Sequence, residues 1–255
     1  MRIAAFLLAS TIAIAAAPPS PAITLAVPNR ANSTPWIASS GSFVAIAWGA
    51  AASGKGDIFL SVSRNGGTSF SAPVRVNSVA GDARISGEIA PRVALMARAD
   101  AADPLIAVTW NARGATTAVR TARSRDGGRT FVDEKNLQMS GAIGDRGWQA
   151  STLDASGRLH TIWLDHRAMA ADKGSGGHEH DGVAMAQKSG LYYAADGVAE
   201  RELFKGVCYC CKTESPRDRR ARFTRRGGTC LPATCATWAS PCRAMAARRS
   251  RRSCA

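Results

Sequence analysis

The chain has 255 residues, 45% of them hydrophobic, which is ample for a core, and it carries a formal net charge of +14. That charge is local, because residues 213–255 hold eleven Arg against Glu214 and Asp218, a balance of +9 that leaves +5 for the other 212 residues. A nucleic-acid partner would rest almost wholly on this tail, where no aromatic interleaving or known module accompanies the charge, so that class is set aside.

The N-terminus starts with Arg2, runs apolar from 3 to 17 with only Ser10 and Thr11 interrupting, and then reads Pro18-Pro19-Ser20-Pro21-Ala22. This is the pattern of a secretory signal over residues 1–22, too short to favour a permanent membrane span. A secreted or periplasmic protein is expected, with no stable span after cleavage behind Ala22.

Three strand-like runs end in Trp: 43–48, 105–110 and 159–163. Each is preceded by a strand candidate (36–39, 92–97, 148–153) across a short turn, and each is followed by a third (57–63, 117–124, 183–189). Strand, turn, Trp-strand, strand, turn, strand is the plan of a four-stranded blade, written about three times between residues 23 and 213. The predicted class is therefore all-β, a partial β-propeller.

The turn after the third strand carries a repeat. Ser124-Arg125-Asp126-Gly127-Gly128-Arg129-Thr130-Phe131 follows Ser63-Arg64-Asn65-Gly66-Gly67-Thr68-Ser69-Phe70 at a distance of 61 residues. An Asp or Asn side chain can accept the N–H groups of its own turn, Gly supplies positive φ, and the final Phe anchors the next strand. The pattern resembles the Asp-box, or BNR repeat, of the sialidase superfamily of β-propellers. Ser124, Asp126, Gly128, Thr130 and Phe131 match it fully; the first copy keeps Ser63, Gly67 and Phe70 and has Asn65 and Ser69 at the Asp and Thr positions. The resemblance implies a box on the outer turns of the blades, away from a glycan site at the axis. It also implies three Arg around a substrate carboxylate, a Tyr–Glu nucleophile and an Asp acid/base. Arg92, Arg146 and Arg167, with Asp165, are the residues here that such a site would use, although no Tyr matches the nucleophile and the family's Arg-Ile-Pro motif is absent. A sialidase-like glycosidase, acting on or binding glycans or sialosides, is the expectation, with surface or turn arginines as the alternative.

The third blade departs from the pattern through a Gly- and His-rich insertion over 165–182, with 188–191 standing where a box belongs. His178 and His180, together with Cys208, Cys210 and Cys211 on a predicted fourth-blade strand, form a ligand set suited to copper or zinc. A disulfide among these thiols and a solvated His loop remain open beside it. A non-enzymatic exported propeller that binds a metal or a protein partner there is the second functional reading.

Past Thr213 the strand pattern stops, Arg dominates, and Cys230, Cys235, Cys242 and Cys254 follow no regular spacing. Residues 214–255 are expected to lack a fold of their own. In the reading frame one base upstream, each codon takes the last base of one residue and the first two of the next. Trp238 with Ala239, and Met245 with Ala246, must then both encode Gly. Continuing through Ser250 permits Gly-Phe-Thr-Val-Ser-Arg-Asp-Gly-Gly-Ala-Thr-Phe, a strand followed by a full box. Its Asp falls near position 245, 119 residues after Asp126 and close to two repeat periods. The tail thus reads as a frame-shifted fourth blade of a truncated propeller, in which those four Cys have no role; a basic tail with free thiols is the competing reading.

Overall fold

The computed structural model describes residues 22–114, 116–138, 140–171, 186–207, 228–231 and 234–237. Three four-stranded antiparallel sheets follow one another in chain order. Blade 1 is β1 (Ala31–Ser40), β2 (Phe43–Ala52), β3 (Lys55–Ser63) and β4 (Val74–Arg75). Blade 2 is β5 (Arg92–Met96), β6 (Leu105–Ala112), β7 (Ala118–Ser124) and β8 (Val132–Asn136). Blade 3 is β9 (Arg146–Leu153), β10 (Leu159–Asp165), β11 (Gly190–Ala195) and β12 (Val198–Lys205). β1 packs beside β5 and β5 beside β9, so the first strands gather along one axis, as in a propeller.

Alternating side chains explain why the blades stack. In β6, Ile106, Val108 and Trp110 face blade 1 and pack with Ala45, Ala47, Leu60 and Val62, whereas Leu105 and Ala107 face blade 3 and pack with Leu153, Leu159 and Trp163. A strand with both faces covered must be apolar throughout, and every residue of β6 is buried. Trp48, Trp110 and Trp163 occupy equivalent second-strand positions, each 3% exposed or less. Losing one of these rings costs about 3–5 kcal/mol.

Both boxes close the hairpin between the third and fourth strands, β3 to β4 and β7 to β8. In the second, the Ser124 hydroxyl donates to Asp126 Oδ1 at 2.7 Å and accepts Gly128 N–H at 2.8 Å. Asp126 Oδ1 also accepts the N–H groups of Arg129 and Thr130, both at 3.0 Å, and Oδ2 accepts the Thr130 hydroxyl at 2.6 Å. In the first, Asn65 Oδ1 accepts from the Ser63 hydroxyl and from Ser69 N–H, and Ser63 Oγ accepts Gly67 N–H. Gly66, Gly67, Gly127 and Gly128 all have φ between 69° and 92°, which favours glycine. Phe70 and Phe131, expected between the sheets, are only half-buried; Phe131 lies against the rim of the blade 1–blade 2 core.

A second repeated device has the same period. Asn77 Oδ1 accepts Ile58 N–H and Gln138 Oε1 accepts Val119 N–H, both at 2.9 Å. The residues before them, Val76 and Leu137, donate their own N–H to the carbonyls of Ile58 and Val119 at 2.8 Å. A side-chain amide thus continues the ladder where the fourth strand ends, and each member lies 61 residues from its counterpart.

Two expectations are corrected. The third strand of blade 3 is β11, not 183–189: residues 186–187 are helical, and the insertion holds α1 (Arg167–Ala171) and runs on to Ser189. The outer turn is the tight hairpin at Asp196 and Gly197, with Gly197 at φ 70°, so no box stands at 188–191. Within the tail expected to lack a fold, β13 (Gly228–Leu231) and β14 (Thr234–Thr237) pair antiparallel.

The second box generates a prediction. Burial alone would raise the Asp126 carboxyl, but hydrogen bonds from Thr130, Ser124 and Arg129 outweigh it and hold the group at about 2, below its ordinary 3.8. Its stabilising contribution is therefore complete above pH 3.8 and is lost as the pH falls through about 2. Asp126→Ala is expected to cost about 1–2 kcal/mol at neutral pH. Asp126→Asn, which copies Asn65, is expected to cost less and to flatten the acid limb; urea titrations from pH 7 down to pH 2 read both.

Candidate functional site

The register of the blades defines a ring of equivalent first-strand positions. Trp36 pairs with Ala47, Arg92 with Thr109 and Ala150 with Ile162, and these partners are the residues just before Trp48, Trp110 and Trp163. Two residues before the ring, β1 and β9 each carry an irregularity with a non-glycine residue at positive φ, Thr34 at 53° and Trp148 at 52°. Such bulges re-aim side chains and gather at functional sites.

Arg92 is 7% exposed and meets no carboxylate among the described residues. Its guanidinium lies 3.9 Å from the centroid of the Trp36 ring. One terminal nitrogen donates to the Ala90 carbonyl at 3.1 Å and, at 3.4 Å, to that of Pro91. Gln149, fully buried, donates its Nε2 to the same Ala90 carbonyl at 3.1 Å. Arg92 Nε and Gln149 Oε1 have no protein hydrogen-bond partner among the described residues. Desolvation pushes the guanidinium down to about 10 from 12.5, yet it stays charged at neutral pH. A buried cation without a counter-ion is costly unless something outside the fold completes it.

Arg146 and Arg167, expected to join Arg92 around a carboxylate ligand, instead converge on a carboxylate of the chain itself. Asp165 Oδ2 accepts Arg146 Nε at 2.9 Å, Arg167 NH2 at 2.7 Å and Trp163 Nε1 at 3.1 Å, while Oδ1 accepts the backbone N–H and Nε of Arg167. The rest of Arg146 is taken by Thr116 and by the carbonyls of Ala142, Gly144 and Thr117. Arg167 also reaches Glu200 and Ser140 and lies over the Tyr192 ring at 4.1 Å. The side chains of Asp165 and Arg146 are wholly inaccessible. Desolvation would raise the Asp165 carboxyl, but the hydrogen bonds from Arg167 and Trp163 and the Arg146 charge hold it below the ordinary carboxylate range. Buried and engaged by donors of the chain itself, the Asp165 carboxylate has the surroundings of a structural ion-pair cluster, not those of an acid/base open to a ligand. The cluster ties the start of β9 and the end of β10 to α1. Tyr192 is raised by burial first, the opposite of an activated nucleophile.

His178, His180, Cys208, Cys210 and Cys211 lie outside the described residues, as do residues 1–21 of the expected signal. Among the described residues no cluster of His, Cys, Asp or Glu has the arrangement of a metal site, and no helix is long and apolar enough to cross a membrane. A cleft of about 880 Å³ beside the second box is lined by Arg98, Arg123, Lys135 and Arg158. Asp100 pairs with Arg98, and Asp196 pairs with Arg123 and Lys135 and accepts from Arg158 through its carbonyl. These four cations are thus engaged within the fold.

No protein-family model matches the chain, and no curated protein matches it. Among solved structures it is similar to the alpha-L-arabinanase of Penicillium chrysogenum, at 12% identity over 81% of this chain and 61% of that one, TM-score 0.49. It is similar also to a protein of unknown function from Dyadobacter fermentans (9% identity, 82% and 65%, TM-score 0.47) and to a thermostable family-43 glycoside hydrolase (12%, 83% and 69%, TM-score 0.44). The chain spans less than two thirds of the length of the first two. The resemblance to sialidases rests on the two boxes.

The contrast between Arg92 and Asp165 can be measured as stability. Arg92→Met removes a buried charge that meets no carboxylate among the described residues and is expected to leave stability unchanged or higher. Asp165→Asn strands two guanidinium groups and is expected to cost about 3–5 kcal/mol. Denaturant midpoints of the two variants, each against the parent, decide between a ligand-binding and a structural role for each residue.

Proposed function

We propose that this chain is part of an exported, sialidase-type Asp-box propeller that binds acidic glycans at its axis through Arg92. The observation that carries the reading is the buried guanidinium of Arg92 in the ring of first-strand positions, which meets no carboxylate among the described residues. A carboxylate is the ligand group that matches its planar donors. The partly exposed Trp36 ring, on which the guanidinium lies, offers an apolar face to the pyranose. The boxes support a sialidase-type blade, and the N-terminal pattern supports export. Binding is favoured over hydrolysis because Asp165 is locked into ion pairs and Tyr192 is shielded beneath Arg167.

Calorimetric titration with sialic-acid- or uronic-acid-terminated oligosaccharides, against neutral counterparts of equal length, tests the reading. The acidic ligands are expected to bind more tightly, and Arg92→Met to weaken them by about tenfold or more, the worth of a charged hydrogen bond, with neutral ligands unaffected. Equal binding of acidic and neutral ligands, or an Arg92→Met variant that binds as the parent does, overturns it. No release of sialic acid from a fluorogenic sialoside above a heat-killed control is expected; turnover would restore the enzyme reading.

A further inference from the structure

The three apolar clusters differ in one respect. The first takes residues from blades 1 and 2, and the second from blades 2 and 3. The third comprises Ala150, Ile162, Leu164, Leu191 and Val207, with Trp148, Tyr193 and Leu203 partly buried against it. All but Val207 belong to blade 3, and they occupy its far face, since Leu153, Leu159 and Trp163 point to blade 2. It is one blade's side of a core: its five buried members are 5% exposed or less, and among the described residues no second blade contributes to it, as blades do to the other two clusters. The face it presents has the composition of the blade 1–blade 2 junction, where Ile106, Val108 and Trp110 are matched by the Ala45, Ala47 and Leu60 face.

We propose that the other side is a fourth blade encoded by this chain's own gene, in the frame one base upstream of codons 214–255, which packs on Ile162, Leu164 and Leu191. That frame permits three features of the blades described above. First, the codons across Phe223 to Gly227 permit Tyr or His, Ala, Ala and then Trp, a Trp-ended strand like that closing at Trp48. This Trp lies sixteen residues before the hidden Ser, against fifteen from Trp48 to Ser63 and fourteen from Trp110 to Ser124. Second, the box itself follows, with its first Gly fixed by Met245 and Ala246 whatever codon Ala uses. Third, with Arg as CGN and Ser as TCN, the codons after the hidden Phe, from Ser250 to Ala255, give two residues from Ala, Pro, Ser and Thr. Two apolar residues follow, and then Arg or Cys. Blade 1 reads Ser71-Ala72-Pro73-Val74-Arg75 after its own box and enters β4 there. The spacing of strand, box and fourth strand is thus that of the structure, in a frame the chain does not use.

The nucleotide sequence from the codon for Lys212 onward tests the first half directly. The upstream frame is expected to be open and to spell the Trp, the box and the strand after it. A stop codon before the box, or an Asp position that cannot be Asp, overturns the proposal. Expression of the gene with one base restored between codons 212 and 216 tests the second half. In the restored protein the amides of Ile162 and Leu191 are expected to exchange at least tenfold more slowly than in the present chain. Leu191→Ala is expected to lower its melting temperature more than it does that of the present chain, while Leu153→Ala, at the blade 2–blade 3 junction, affects both alike. Unchanged exchange at Ile162 and Leu191, with equal effects of the two variants in both proteins, refutes the packing even if the frame is open.

Discussion

Every part of this structure depends on sheets being covered on both faces. A four-stranded meander with apolar side chains alternating up and down its second strand has no solvent side, so a blade in isolation leaves a face of Ile, Val and Trp in water. Stacking blade on blade removes that cost, and at each junction one aromatic ring of the second strand is pressed against the preceding sheet. Ile37 on β1, which points away from the blade 1–blade 2 core that Ala38 joins, is 62% exposed. The ring geometry that gathers the first strands at an axis follows from this stacking, and the axial site follows from the ring.

Within that frame, two kinds of buried arginine do different work. Arg146 sits where blade 3 supplies Asp165, two residues after its second-strand Trp; the same step after Trp48 and Trp110 reaches Ala50 and Ala112. The acid is therefore specific to blade 3, which also bears the insertion, and its ion pairs hold the root of that insertion. Arg92 has no such acid and is held instead by an aromatic face and a backbone carbonyl. Both positions are costly to desolvate; among the described residues only Arg146 is balanced by a carboxylate.

The blades were legible because hydrophobic alternation, Trp-ended strands and Gly-Gly turns are local signals that survive into the fold. The two boxes were legible to the level of individual side chains. β11 was missed because the apolar run at 183–189 looked like the strand, although Tyr192-Tyr193-Ala194-Ala195-Asp196-Gly197 carries the stronger hairpin signal of an Asp-Gly pair after aromatic residues. The Asn77 and Gln138 amides were missed because a capping amide has no pattern of its own; only the shared 61-residue offset, seen with the strands in hand, reveals it. The site was half legible: sequence pointed to Arg92, Arg146, Arg167 and Asp165 together, but counter-ions are a property of register, and register placed Asp165 on Arg146 and, among the described residues, no carboxylate on Arg92.

The inter-blade salt links are wired differently at each junction. At the first, Arg64 of the box grips Asp103 and the Gly127 carbonyl of the next blade; at the second, Arg123 of β7 and Lys135 of β8 grip Asp196. Arg64 and Lys135 are too exposed for their pairs to add much stability, but the different wiring makes neighbours non-interchangeable. A blade that docked out of turn during folding, the common failure of repeat proteins, would find an apolar surface of suitable shape and the wrong connector. The arginines thus distinguish two junctions whose hydrophobic faces are nearly alike.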